Sequence, residues 1–121
     1  MKSSRIVGLA VAAAIGLAGD AATAEAGSSL CPANMVCTYV DKNFSGLMGY
    51  RAGGGGLLNV TSLNDNKMSS WENRSSSNAA WYYGLNGTGK CLNMLAGYEF
   101  HYVQDVDNDQ MSSWKTNGKC P

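Results

Sequence analysis

Two six-residue stretches concentrate the oxygen chemistry of this chain. They are Asp65-Asn66-Lys67-Met68-Ser69-Ser70, followed by Trp71, and Asn108-Asp109-Gln110-Met111-Ser112-Ser113, followed by Trp114, 43 positions later. Each offers two adjacent oxygen-bearing side chains, two variable or apolar residues, two hydroxyls and a large aromatic. Carboxylate, amide, hydroxyl and carbonyl oxygens are what a hard cation such as calcium takes as ligands. Asn, Asp and Ser are also ordinary turn formers, so one copy alone reads as a loop leading into a strand. Two copies in register point to metal.

Other chemistry is sparse. His101 is the only histidine and sits between Phe100 and Tyr102. A lone histidine there reads as a packed or surface residue. Asp105, Asp107 and Asp109 alternate along one loop, and solvation or metal binding explains them with fewer assumptions than a catalytic pair. No nucleophile–base–acid set is visible, so the chain is not expected to be an enzyme. Gly53-Gly54-Gly55-Gly56 lacks the Gly-Lys-Ser/Thr continuation of a phosphate cradle and is expected to be a flexible loop. Asn43, Asn59, Asn73 and Asn86 each begin an Asn-x-Ser/Thr sequon, which matters only in a host that glycosylates.

The 121 residues suffice for one ordinary domain. Lys2 and Arg5 precede an apolar run, Ile6 to Gly19, and small residues follow at Ala22-Thr23-Ala24 and Ala24-Glu25-Ala26. This is the pattern of a secretory signal peptide, residues 1–26, cleaved near Ala24 or Ala26. The run is shorter than the roughly 20 residues a membrane-spanning helix needs. Residues 27–121 then form the mature domain. Of nine Lys and Arg it loses Lys2 and Arg5, and of nine Asp and Glu it loses Asp20 and Glu25, so its net charge is zero. With no basic patch, nucleic acid is not an expected partner. With no second apolar segment, the mature chain is expected to be soluble and free of membrane; the signal peptide makes it secreted, and a monomer is expected.

All four cysteines, Cys31, Cys37, Cys91 and Cys120, fall in the mature part. An even count in a small exported chain reads as two disulfides. Three pairings are possible and the sequence does not choose among them. Cys31–Cys37, tying the amino end locally, with Cys91–Cys120, tying the tail to the second half, is the expected set. Zinc is disfavoured, since no Cys-x-x-Cys pair occurs and there is one histidine.

A gapless shift of 43 positions superposes more than the two loops: Tyr39 on Tyr82, Gly46 on Gly89, Leu57 on Phe100, Val60 on Val103 and Leu63 on Val106. The mature chain is therefore two copies of one unit, about 31–73 and 74–117, joined at Ser75-Ser76-Ser77-Asn78 and sharing a core. Helical periodicity is absent, and short runs bounded by turn residues predict strands. They are Val36–Val40, Gly46–Arg51, Leu57–Val60 and Ser69–Glu72, then Ala80–Tyr83, Gly89–Leu95, Glu99–Gln104 and Ser112–Lys115. Met68, Met111, Trp71 and Trp114 are expected in the core. The fold class is all-β, a small two-sheet sandwich.

Tyr39-Val40-Asp41-Lys42-Asn43-Phe44-Ser45-Gly46 resembles the Greek-key signature of the βγ-crystallin superfamily: an aromatic, a second aromatic five positions on, and a glycine two further. Tyr82 and Gly89 match in the second copy, with Gly87 in place of the second aromatic. The two oxygen-rich stretches resemble the calcium motif of the same superfamily. The resemblance spans the mature chain and implies a single βγ-crystallin-like domain of two Greek keys with two calcium sites. Asn66 and Asp109 would supply side-chain oxygens, Lys67 and Gln110 carbonyls, and Ser69 and Ser112 hydroxyls, each ion touching both copies. Asp65 and Asn108 would orient the loops, Ser70 and Ser113 would bond back to the hairpins, and the chain near Val40 and Asp41 would add a carbonyl.

The opening Cys31-Pro32-Ala33-Asn34-Met35-Val36-Cys37-Thr38-Tyr39 resembles a second, narrower group, the Streptomyces metalloproteinase-inhibitor family, whose fold is also crystallin-like. That resemblance implies a bacterial, secreted inhibitor of thermolysin-like metallopeptidases that presents a cysteine–hydrophobe bond. Cys91–Leu92 is the nearest match, without a second cysteine a few residues on to brace it. The other functions expected of such a chain are a calcium-stabilised extracellular module and a killer-toxin-like antifungal protein.

Overall fold

The computed structural model describes residues 30–121. The signal peptide expected over 1–26 and its cleavage lie outside the described residues. Eight strands follow in order: β1 (Met35–Asp41), β2 (Ser45–Ala52), β3 (Leu58–Asn59), β4 (Ser70–Asn73), β5 (Ala79–Tyr82), β6 (Cys91–Met94), β7 (Glu99–Phe100) and β8 (Ser113–Lys115). They form two antiparallel four-stranded sheets, ordered β2-β1-β4-β7 and β3-β8-β5-β6. Each sheet takes three strands from one repeat and the third strand of the other. The two repeats are thus interlocked, and neither can be lifted out without opening both sheets.

Each predicted strand is present, but the two third strands shrink from the predicted Leu57–Val60 and Glu99–Gln104 to two residues each. These strands cross to the opposite sheet, where the ladder continues as isolated bonds, Val60 N–H to Ser112 O at 2.9 Å and Val103 N–H to Ser69 O at 3.0 Å. Crossing between twisted sheets leaves room for only a brief regular pairing.

The core between the sheets holds Trp71, Trp81, Trp114, Met68, Met94, Met111, Val36, Ala79 and Val103. Trp81 pairs with Trp114 across β5 and β8, and Trp71 stacks on Phe100 with ring centroids 5.0 Å apart. A second cluster covers the outer face of the first sheet: Cys31, Cys37 and Tyr39, with Met35, Phe44 and Leu47 against them. This cover explains why every residue of β4, on both faces, is buried.

The hairpin loops obey the repeat residue by residue. Asn43 (φ 58°), Phe44 (φ 59°) and Gly46 (φ 72°) correspond to Asn86 (φ 56°), Gly87 (φ 71°) and Gly89 (φ 77°). In the first hairpin Phe44 holds this unfavourable backbone because its ring meets Tyr39 edge-on at 5.7 Å. In the second, Leu57 occupies the space: a Cβ on Gly87 would lie 2.9 Å from Leu57 Cδ2. That is why an aromatic is missing there without loss of the hairpin.

The Gly53–Gly56 run is pinned rather than flexible. Gly54 N–H donates to Thr116 O at 2.5 Å, Gly55 N–H to Thr116 Oγ1 at 2.8 Å, and Thr116 N–H returns a bond to Gly55 O at 2.8 Å. Arg51 also donates to Gly56 O and, at 3.1 Å, to Trp114 O. Small residues here let the backbone approach Thr116 closely, which composition alone could not reveal. The covalent ties are Cys31–Cys37 and Cys91–Cys120, so of the three pairings the structure adopts the sequential one. Among the described residues no helix is long and apolar enough to cross a membrane.

Candidate metal centre

The two oxygen-rich loops meet head to tail. Asn66 N–H donates to Met111 O at 2.9 Å, and Asp109 N–H donates to Met68 O at 3.1 Å. Asn66 and Asp109 occupy corresponding positions, and both sit in the left-handed region, at φ 59° and 60°. Asn and Asp tolerate that region better than other residues with a Cβ. Ser69 and Ser112 are each anchored from the start of a hairpin, by Ser69 N–H to Tyr39 O and Ser112 N–H to Tyr82 O, both 2.9 Å.

Side chains also cross between the loops. Ser69 Oγ donates to Asn108 Oδ1 at 2.5 Å, and Ser112 Oγ donates to Asn66 Oδ1 at 3.2 Å. Val40, Asp41, Asn66 and Ser69 from the first repeat and Asn108 and Asp109 from the second line one open cleft at this junction. Lys67 and Lys42 stand at its wall, Lys42 with its ammonium 4.8 Å from the Tyr102 ring centroid. Gln110 is half-buried beside it, with Nε2 donating to Asn108 O at 3.4 Å.

Behind these loops, Ser70 and Ser113 do the same structural job. Ser70 Oγ donates to Asp41 O at 2.6 Å and accepts from Phe44 N–H at 3.1 Å. Ser113 Oγ donates to Gly84 O at 2.7 Å and accepts from Gly87 N–H at 3.0 Å. The second serine of each stretch thus ties its hairpin to the loop and leaves the first serine facing the junction.

The donor set suits a hard cation and nothing softer. It consists of amide, carboxylate, hydroxyl and backbone oxygens, and among the described residues no group of three or more His, Cys, Asp or Glu is gathered. Asp65 Oδ1 is the one buried side-chain polar atom among the described residues that has no hydrogen-bond partner. Its sister oxygen receives only a 3.5 Å contact from Asn66 Nδ2. A buried carboxylate oxygen without a donor is costly, but Asp65 is not among the residues that line the cleft.

The three alternating carboxylates part company. Asp105 accepts from Tyr102 Oη at 2.6 Å, and Asp109 lines the cleft. Asp107, 7% exposed, accepts from Tyr83 Oη at 2.6 Å and from Lys90 Nζ at 2.9 Å. Burial pushes the Asp107 carboxyl up, but the bonds from Tyr83 and Lys90 and the ammonium charge prevail and hold it below its ordinary value of 3.8. The same contacts raise Tyr83 and Lys90, each chiefly through its hydrogen bond to Asp107. The sequence offered no signal for this triad, because its members lie 17 and 24 residues apart along the chain.

A carboxyl depressed on folding contributes stability that is complete above its unfolded pKa and is lost as pH falls through the folded one. Stability is therefore expected to decline on acidification below the ordinary carboxylate range, and Asp107→Asn should flatten part of that decline. Superimposable acid-melting profiles for the two chains would contradict this.

Cys91 and Leu92 lie in β6, an edge strand, opposite Tyr82 and Trp81 of β5. Leu92 packs against the main core and is half-buried. Cys120 N–H donates to Asn93 Oδ1 at 2.7 Å, so the tail runs beside the same strand. His101 is exposed.

Comparison with known proteins places this geometry. The sequence profile of peptidase inhibitor family I36 matches residues 24–94. No curated protein matches the chain by sequence. A βγ-crystallin domain from Clostridium beijerinckii superposes with a TM-score of 0.53 at 25% identity, covering 66% of this chain and 93% of that one. A βγ-crystallin from an archaeon superposes at 0.54 with 20% identity, over 70% and 99% of the two chains. A structure described under the evolution of the eye-lens βγ-crystallin domain fold reaches 0.60 at 21% identity, over 73% and 90%. The two interlocked Greek keys are thus a βγ-crystallin fold.

Proposed function

The chain belongs to peptidase inhibitor family I36, a family of inhibitors rather than enzymes, and from that premise we propose that it is a secreted inhibitor of metallopeptidases whose two repeats are braced by calcium. The family match over residues 24–94 is the observation that carries the inhibitory reading. The resemblance to the thermolysin-directed inhibitors supports a metallopeptidase as the target class and Cys91–Leu92 as the bond presented. The two disulfides are in keeping with export into an oxidising compartment.

The calcium reading is supported by the reciprocal loops and by the oxygen donors that line the cleft between them. Asn66 and Asp109 would offer side-chain oxygens, Lys67 and Gln110 carbonyls, and Ser69 and Ser112 hydroxyls. Asp65 and Asn108 flank them and set the loop. Bound calcium would supply charge that draws the two loops together. Few carboxylates and two nearby lysines favour modest affinity, on the order of 10⁻⁵ to 10⁻³ M. The protein in this reading is a monomer.

Two measurements test these statements separately. Thermal melts in chelator and in calcium at about a hundredfold excess over Kd are expected to differ by about 2–3 kcal/mol in stability for each site occupied. No shift at about a hundredfold excess over the weakest Kd expected would end the metal reading and leave inhibition standing. A peptidase panel that includes a thermolysin-like enzyme and a serine peptidase is expected to show inhibition of the metalloenzyme alone. Full activity of the whole panel at micromolar protein would end the inhibitory reading.

A further inference from the structure

We propose that Asn117 is a site of spontaneous modification, where the chain's own backbone deamidates the side chain, and that the fold blocks the same reaction at Asn86. Asparagine is self-reactive where a glycine follows, because no side chain screens the glycine nitrogen and its backbone turns freely. The chain has two such pairs, Asn86-Gly87 and Asn117-Gly118. Both asparagines are exposed, so access to water does not separate them.

Their bonding does. Asn86 is locked against Asn59 of the other repeat: its Oδ1 accepts from Asn59 Nδ2 at 3.0 Å, and its N–H donates to Asn59 Oδ1 at 2.7 Å. The nucleophile beside it is occupied as well. Gly87 N–H donates to Ser113 Oγ at 3.0 Å, and the buried Ser113 hydroxyl passes its own hydrogen to Gly84 O at 2.7 Å. Hydroxide cannot take the Gly87 proton until this brace of the hairpin opens.

Asn117-Gly118 has neither restraint. Among the described residues, neither the Asn117 side chain nor Gly118 N–H makes a hydrogen bond. Thr116 before them is fixed, its N–H donating to Gly55 O and its carbonyl accepting from Ser77 Oγ, both at 2.8 Å. Cys120 after them is held by its disulfide and by Asn93. The residues between these two anchors belong to no strand, and a segment without bonds of its own moves at little cost in free energy.

The reaction needs only hydroxide and water. The deprotonated Gly118 nitrogen attacks Asn117 Cγ. The new C–N bond closes a cyclic succinimide, the Cγ–Nδ2 bond breaks, and ammonia leaves. Water then opens the ring at either carbonyl, giving aspartate or isoaspartate. Either product adds a negative charge to a chain whose formal charge is zero. Isoaspartate also lengthens the backbone inside the loop closed by Cys91–Cys120. This chemistry depends on neither calcium nor a peptidase.

The test incubates the folded chain at mildly alkaline pH and follows both sites by peptide mapping and mass spectrometry. The same chain, reduced and unfolded in urea, runs beside it. In the folded chain Asn117 is expected to convert and Asn86 to lag at least about tenfold, because several hydrogen bonds must open first. In urea the two rates are expected to converge. Asn59→Ala, with its melting temperature as a check of folding, is expected to speed conversion at Asn86 and leave Asn117 unchanged. Equal rates in the folded chain, or an Asn117 that converts only in urea, overturn the proposal. A ratio that is the same folded and unfolded overturns it too, since the fold would then protect nothing.

Discussion

Asn73→Ala is expected to cost about 3–5 kcal/mol of unfolding free energy, because it strands several buried polar partners at once, each worth roughly 1–3 kcal/mol when unsatisfied. Asn73 is 1% exposed at the end of β4. Its Nδ2 donates to Ser77 O at 2.9 Å and to Met94 O at 2.8 Å. Its Oδ1 accepts from Ser75 N–H at 2.9 Å and from Ser75 Oγ at 2.7 Å. One side chain thus folds the joint between the repeats and ties it to β6. Urea unfolding of the variant checks the figure, and a loss below about 1 kcal/mol would show that water replaces these bonds without penalty. The sequence marks Asn73 only as the start of a sequon. In the folded chain its amide is fully used and inaccessible, so a glycan there is incompatible with this fold.

Opening the Cys91–Cys120 bridge is the second large effect. The bond closes a separation of 29 residues, and the chain-entropy model assigns such a loop about 3–4 kcal/mol. Replacing both cysteines by serine is expected to lower the melting temperature by more than about 10 °C in a domain of this size. The Cys31–Cys37 bridge spans 6 residues and is worth about 2 kcal/mol in the same model. The tail held by Cys120 runs on from β8, which lies in the middle of its sheet between β3 and β5. A loose tail therefore exposes a central strand, with Trp114 on it. Equal melting of the bridged and unbridged chains would mean that the Asn93–Cys120 bond and strand pairing suffice by themselves.

Much of the fold was legible because it is a duplicated local pattern. The 43-residue shift carried Tyr39 onto Tyr82, Gly46 onto Gly89 and the whole of one oxygen-rich stretch onto the other, and identical local sequence produced identical local backbone. The serines that brace the hairpins, Ser70 and Ser113, follow from the same register. The third strands are shorter than their sequence pattern predicts, because their length is set by the crossing to the other sheet. The tetraglycine run reads as free chain from its own composition, because Thr116, which pins it, lies about 60 residues away.

At the junction, residue types were readable and geometry was not. Asp, Asn and Ser in duplicate signalled oxygen donors, and nothing in a linear spacing said that Asn66 would bond to Met111 or that Asp65 would keep a buried oxygen without a donor. Asp107 looked like one of three similar carboxylates. Its tie to Tyr83 and Lys90 comes from strand β5 and the chain entering β6, brought there by sheet order.

By itself the sequence determined the composition of the protein's parts: two copies of one strand-and-loop unit, four paired cysteines, and oxygen-bearing loops ahead of each last strand. These depend on side-chain type and on spacing within a few residues, where sterics and alternation act. The tertiary structure alone decided which strands exchange sheets, which oxygens face one another, and that Leu63 stands exposed while Leu92 packs inward. Those outcomes depend on closure of the two repeats upon each other, a contact between segments some 40 residues apart that no local propensity encodes.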